Sequence, residues 1–187
     1  VKSAGIPIRI RNTFRPEDEG TLIVATSGRR REDNVVTGIA GKKDFTVILL
    51  EKSMMNSEIG FAAKVLEVLS RHGISFEHLP SGIDTMSVVI DNKYLENDDL
   101  GAILEEIREA VRPDHIYTHE NIALVATVGH GMARSVGTSA RLFKALSEAG
   151  INVIMIDQGS SELNIIVGVA GEDCAPCIRA IYREFFA

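Results

Sequence analysis

The chain repeats itself once, without a gap, at an offset of 77 residues. Gly60 matches Gly137, Gly73 matches Gly150 and Gly82 matches Gly159. The same offset pairs Met55 with Met132, Ala63 with Ala140, Leu69 with Leu146, Ser70 with Ser147 and Ile74 with Ile151, and it sets Val88, Val89 and Ile90 against Ile165, Ile166 and Val167. A period this long excludes a solenoid, whose units run about 20 to 50 residues. Two copies of one small domain are therefore expected, and the 45% hydrophobic content is enough to bury a core in each.

Each copy reads as β-α-β-β-α-β from its periodicity and punctuation. In the first, residues 45–50 are an apolar β-branched run. Ala62, Val65, Leu66 and Leu69 then recur at helical spacing over 61–72, and Gly73 follows as the helix-ending glycine. Residues 74–79 and 86–91 form a hairpin around Pro80, Ser81 and Gly82. Asn97, Asp98 and Asp99 offer N-cap side chains to a helix carrying Leu100, Ile103, Leu104, Ile107 and Val111 on one face, which Pro113 stops before a short strand at 115–118. The second copy repeats this with strands at 122–128, 151–156 and 163–169 and helices at 138–149 and 173–185. It lacks a sixth strand, and 34–40 is the unassigned apolar run. The first copy is thus expected to be inserted in the second, giving an α+β fold of two ferredoxin-like domains, antiparallel sheets with the helices on one face.

Charge and composition narrow the function classes. A net charge of -6 with both signs dispersed gives no footprint for nucleic acid or an anionic membrane. Arg29, Arg30 and Arg31 run straight into Glu32 and Asp33, which reads as a solvated loop. No apolar stretch spans a bilayer and no signal peptide is visible, so a cytoplasmic location is expected. The start at Val1 without methionine suggests a piece of a longer protein. Cys174 and Cys177 share a helical stripe with Ile178, Ile181 and Phe185 and read as core thiols rather than a metal or redox pair. His115 and His119 lie in an extended segment and are expected not to share a face. Gly129, His130 and Gly131 are followed by no lysine and make no phosphate cradle. No catalytic residue, metal site or cofactor is expected in this chain.

Duplicated domains diverge where one copy has work to do. Met54, Met55, Asn56 and Ser57 face Gly131, Met132, Ala133 and Arg134, while Glu77 and Asp84 face Ile154 and Ser161. The first copy then has two extra carboxylates near its hairpin. A helix start at Gly60, Phe61 and Ala62 presents free amides and a positive dipole end to a carboxylate. Carbonyls of the strand through Phe76, with Glu77 or Asp84, would accept from the ligand's amines. Removing either carboxylate is expected to weaken binding and leave folding almost unchanged.

Several stretches carry a family resemblance covering essentially the whole chain. "GIPIRIRNTFRPEDEGTLI" resembles the end of the catalytic domain of aspartate kinases, and "VVTGIAGKKDFTVILL" the start of their paired ACT domains. "GTSARLFKALSEAGINVIMIDQGSSELNIIVGV" and "AIYREFFA" resemble the second ACT domain and its final helix. The lysine-containing K-F-G-G motif of the kinase domain is missing. The resemblance implies the C-terminal regulatory region of a monofunctional aspartate kinase: residues 1–33 as the end of the catalytic domain and linker, 34–43 as a strand given to ACT domain 2, 44–118 as ACT domain 1 and 119–187 as ACT domain 2. It implies L-lysine as effector, with threonine as the alternative. The effector positions carry over to Met54, Met55, Ser57, Gly60, Phe61, Ala62, Phe76, Glu77, Ser81 and Asp84. This sequence departs from the lysine-sensitive pattern by one extra residue in the Ser57 to Gly60 loop and two in the hairpin turn. A homodimer through the ACT domains is implied, as are ATP and Mg for the kinase domain of the parent chain. A dimerisation module without effector and a free-standing enzyme on the same fold are the other readings.

Overall fold

The computed structural model of the chain describes residues 1, 3–24, 35–95 and 100–187. It divides into two compact units, Val1–Asp33 and Asn34–Ala187. The expected loop at Arg29 to Asp33, residue Asn34 and the capping cluster at Asn97 to Asp99 lie outside the described residues. In the first unit β1 (Ile8–Ile10) and β2 (Thr21–Ile23) pair antiparallel, and Arg11 Nε donates to the Asp18 carbonyl at 3.1 Å across the connecting loop.

The second unit runs β3 (Gly38–Glu51), α1 (Phe61–Arg71), β4 (Phe76–His78), β5 (Thr85–Asp91), α2 (Leu100–Val111), β6 (His115–Val128), α3 (Thr138–Glu148), β7 (Met155–Asp157), β8 (Asn164–Ala170) and α4 (Cys174–Phe186). Its strands form one antiparallel sheet in the order β4-β5-β3-β6-β8-β7. The α+β class and the two βαββαβ copies are as read from the sequence. Joining them was not. Periodicity breaks the strand material into short pieces, yet β3 and β6 are single strands of 14 residues each. Residues Phe45 to Glu51 of β3 pair with β5, while Gly38 to Lys42 pair with Val128 to Leu124 of β6. The start of β3 is therefore the sixth strand of the second copy, and the two copies share one sheet.

A pair of bulges lets one strand serve two domains. Asp44 and Asn121 have φ of 70° and 54°, and the β3–β6 register shifts between Lys42 and Phe45 and again between Phe45 and Val47. Aspartate and asparagine tolerate the left-handed region because their short side chains bond locally, and a bulge there bends the strand. The two residues are 77 apart, so the bend obeys the same repeat as the sequence.

The helix ends explain which residues the repeat keeps. Gly73 and Gly150 have φ of 68° and 69°. In the first copy Gly73 N–H donates to Ser70 O and Ile74 N–H to Leu69 O. In the second, Gly150 N–H donates to Ser147 O and Ile151 N–H to Leu146 O. These bonds satisfy carbonyls that the helix leaves open, and only glycine takes the conformation freely. Ile48, Leu50, Val88 and Ile90 pack under α1 and α2, and Val125, Val167 and Val169 under α3 and α4 with Cys174, Cys177 and Ile181. Both cysteines are free and buried, and burial pushes the Cys177 thiol up to about 12. A third cluster on the other face of the sheet joins the copies through Phe45, Val47, Val89, Ile122, Leu124 and Met155. The sheet curls enough for its two outermost strands to meet, His78 Nδ1 lying 2.7 Å from Asp157 Oδ2.

One expectation about the histidines fails. On a strand, residues four apart do share a face, and His115 stacks on Tyr117 with centroids 5.9 Å apart in the regularly paired start of β6. Among the described residues no helix is long and apolar enough to cross a membrane.

Asp91 ties the copies together electrostatically. Its side chain is 5% exposed, receives Lys42 Nζ from the other copy's strand and Lys93 Nζ at 3.0 Å, and accepts from Lys93 N–H at 3.2 Å. The Lys42 hydrogen bond, opposed by burial, lowers its carboxyl from the usual 3.8 to about 2. A depressed carboxylate stabilises the fold above its unfolded value and loses that contribution as pH falls. Asp91→Asn should therefore cost about 2 kcal/mol in urea denaturation at pH 7. The gap between the two proteins should narrow between pH 3.8 and about 2.

Candidate functional site

The loop from β3 to α1 is stitched to the β4–β5 hairpin. Lys52 N–H donates to Asp84 O at 2.8 Å, Met54 N–H to Asp84 Oδ1 at 2.8 Å and Asn56 N–H to Ile83 O at 3.1 Å. Met54 has φ of 61°, a conformation that costs a side-chain-bearing residue roughly 1–2 kcal/mol. The Asp84 carboxylate is the clamp that holds it. Below the loop, Lys52 Nζ donates to Val111 O at 2.6 Å, pairs with Glu58 and lies 5.5 Å from the Phe61 ring centroid. Hydrogen bonds from Lys52 and Lys64 hold the Glu58 carboxyl below the usual range, and those from Ser53 N–H and Oγ do the same for Asp114.

The sequence-derived site residues separate into three groups. Met55 and Phe61 are buried in the first copy's core, so their side chains are committed to packing. Met54 is 70% exposed, Ser57 Oγ donates to Asn56 Oδ1 at 3.3 Å, and Ala62 is exposed on the first turn of α1. Gly60, at φ 82°, is the N-cap, and Ala62 N–H has no carbonyl within its helix to meet. Phe76 and Glu77 are exposed on β4, whose outer edge is unpaired, and Ser81 bridges Met86 at the start of the turn. Among the described residues, Asp84 contacts Met54 directly, whereas no hydrogen bond or ion pair joins Phe76 or Glu77 to that loop.

The second copy carries a clamp that the ungapped comparison hid. Arg134 N–H donates to Glu162 Oε2 at 2.6 Å, and Arg134 has φ of 60°. Glu162 thus does for Arg134 what Asp84 does for Met54. The two loops are equally long, eight residues between the strand end and the glycine N-cap, but the clamped residue stands three positions later in the second and the clamp one position later in the hairpin, so the 77-residue offset set Asp84 against Ser161 and Met54 against Gly131 instead. The supposed extra carboxylate at Asp84 is matched, and Glu77, facing Ile154, is the carboxylate peculiar to the first copy. A cleft of about 470 Å³ lies beside the second clamp, between Arg134, Thr138, Gln158 and Glu162. Sequence comparison could have found this clamp by allowing a shift of one residue in the hairpin and three in the loop.

Comparison with known proteins follows the same outline. Residues 125–185 match the ACT domain family. The chain is 40% identical over 184 residues to Aspartokinase 3 of Bacillus subtilis, which covers 98% of this chain and 40% of that protein. The crystal structure of Clostridium acetobutylicum aspartate kinase superposes with a TM-score of 0.92 at 49% identity, over 98% of this chain and 42% of that one. The regulatory subunit of aspartate kinase from Thermus flavus shares the fold, with a TM-score of 0.67 at 24% identity over 80% of this chain and 97% of that subunit. The chain spans about 40% of the length of the Bacillus subtilis and Clostridium acetobutylicum enzymes. With its inserted ACT copies and shared sheet, it belongs to the ACT-domain regulatory regions of the aspartokinases.

Proposed function

We propose that this chain senses an end-product amino acid, L-lysine, and biases an aspartate kinase to which it is joined. The parent would phosphorylate L-aspartate with ATP and Mg, neither of which this chain would hold. The observation that carries the lysine reading is the Glu77 carboxylate on the open edge of β4, in the same copy as the open amides at the start of α1. Amides at a helix start suit an α-carboxylate, and an unpaired edge supplies carbonyls for an α-ammonium. A lysine side chain then needs one more acceptor, for which, among the described residues, Glu77 has no hydrogen bond or ion pair and Asp84 has a second oxygen. E. coli aspartokinase III, whose structure in complex with lysine and aspartate shares this fold at 24% identity and a TM-score of 0.79, is consistent with that choice. Sensing requires that lysine bind one conformation of the module better than another.

The exposed edge at β7, with Ile154 and Ile156 outward, supports a homodimer in which edges pair between chains. Sedimentation at tens of micromolar should give a dimer; a monomer with and without lysine would remove pairing from this reading.

Calorimetry with lysine and threonine tests the sensor. Glu77→Ala should weaken lysine binding by roughly 2 kcal/mol, since it leaves an ammonium poorly paired, at an unchanged melting temperature. Lysine bound equally well by Glu77→Ala would discard this acceptor, and binding of threonine alone would discard the ligand.

Asp84→Ala has a different expected signature. Because its carboxylate holds Met54 in a left-handed turn, the substitution should lower stability by about 1 kcal/mol, contrary to the expectation from sequence that folding would hardly change. Thermal melts without ligand read that loss directly.

A further inference from the structure

The two copies are related by a pseudo-twofold axis that runs through the β3–β6 ribbon. Phe45 stands directly opposite Ile122, its own counterpart 77 residues on. The same offset exchanges the pairs on either side: Lys42 with Leu124 becomes His119 with Val47, and Gly41 with Val125 becomes Thr118 with Ile48. An axis of this kind makes each contact between the copies occur twice, as in an isologous dimer.

The bond between His78 and Asp157 departs from that rule. The counterparts of these residues at the 77-residue offset are Met155 and Pro80, a pair with no side-chain hydrogen-bond donor. Met155 is instead buried in the apolar cluster that joins the copies. One side of the axis therefore has an apolar residue committed to the core, and the other a polar bond. The difference matters mechanically, because apolar contact is non-directional and tolerates sliding, whereas a hydrogen bond is fixed in length and direction.

His78 Nδ1 lies 2.7 Å from Asp157 Oδ2, and since a carboxylate only accepts, the hydrogen is on Nδ1. The two side chains are 20% and 36% exposed, which shields the bond in part from competing water. Among the described residues neither makes another hydrogen bond or ion pair.

The strands that carry them have few other restraints. β4 and β7 are three residues long, and each pairs with a single neighbour. The β4–β5 register shifts between Phe76 and His78, which leaves two paired positions. Segments held by so few backbone bonds are the first of a fold to open.

We infer that His78 and Asp157 form a clasp between the copies, through which β4 and β7 open as one cooperative unit instead of fraying separately. Among the described residues no backbone pairing joins β4 to β7, so without the clasp the two strands would open independently. The device needs no ligand in either copy.

Native-state hydrogen exchange of the 187-residue chain in low denaturant reads the opening of each strand. The amides of β4 and β7 should share one opening equilibrium and one denaturant slope. Asp157→Ala should speed exchange in β4, 79 residues away, at least tenfold, and His78→Ala should do the same in β7. Exchange in α1 and α3 should not change, which separates loss of the clasp from a general loss of stability. The double variant should match the single ones rather than multiply their effects, because both act through one bond. His78→Asn, whose amide nitrogen takes about the place of Nδ1, should keep both strands protected. Different denaturant slopes for β4 and β7 in the parent would overturn the inference, as would unchanged β4 exchange in Asp157→Ala or a rise that extends equally to α1 and α3. Protection lost as fully in His78→Asn as in His78→Ala would trace the effect to packing of the imidazole and overturn it too.

Discussion

The paired bulges at Asp44 and Asn121 are the constraint on which the rest of this module depends. Without them β3 and β6 would be a regular antiparallel ribbon, and each would present one continuous face to one set of helices. With them, Ile48 and Leu50 of β3 face α1 and α2, and Ala123 and Val125 of β6 face α3 and α4. The same bend brings Phe45 and Val47 against Ile122 and Leu124 on the opposite face. Burial of apolar surface drives all three clusters, at about 25 cal/mol per Å², and the bulges decide which residues each receives. Lys42 reaches Asp91 because its strand crosses from one copy to the other at this point.

What was legible in the sequence follows from how local each determinant is. The helix ends could be read from Gly73, Gly150 and their partners, because a capping motif lies within a few residues of sequence and each copy repeats it. Insertion of one copy in the other followed from counting strands. Continuity of β3 and β6 was hidden, since Lys42, Lys43 and Asp44 look like a loop between two apolar runs. Aspartate and asparagine in a strand score as breakers, and nothing local separates a bulge from a turn. The candidate site was legible in part. The helix start at Gly60 and Phe61 is where the sequence placed it, but Met55 and Phe61 proved to be core, and the commitment of Asp84 to Met54 depends on a contact 30 residues apart.

Duplication gives the two loops one device and leaves their chemistry free to differ. In both, a hairpin carboxylate accepts from the amide of a left-handed residue ahead of a glycine N-cap. That bond is made by the backbone amide, and the side chain at the clamped position is exposed. The clamped residue is methionine ahead of a 3-10 turn in one copy and arginine behind one in the other, so each loop presents a different side chain from the same kind of clamp. A clamp built from backbone geometry allows such divergence, because the substituted side chain makes none of the bonds that position the loop.

The two edge strands are also joined through their side chains. Glu77 is adjacent to His78 on β4, and Gln158 is adjacent to Asp157 on β7; His78 and Asp157 are 2.7 Å apart. Among the described residues, β4 pairs only with β5 and β7 only with β8, so neither has a strand partner on its outer side. The cross-copy bond is thus a restraint on two short strands that have little else to hold their outer edges. A guest that shifts β4 along its axis must stretch this bond or carry β7 with it, and the reverse holds for a guest that moves β7. Coupling between two sites requires an element that both can bias, and two edge strands joined by such a bond make an element of that kind.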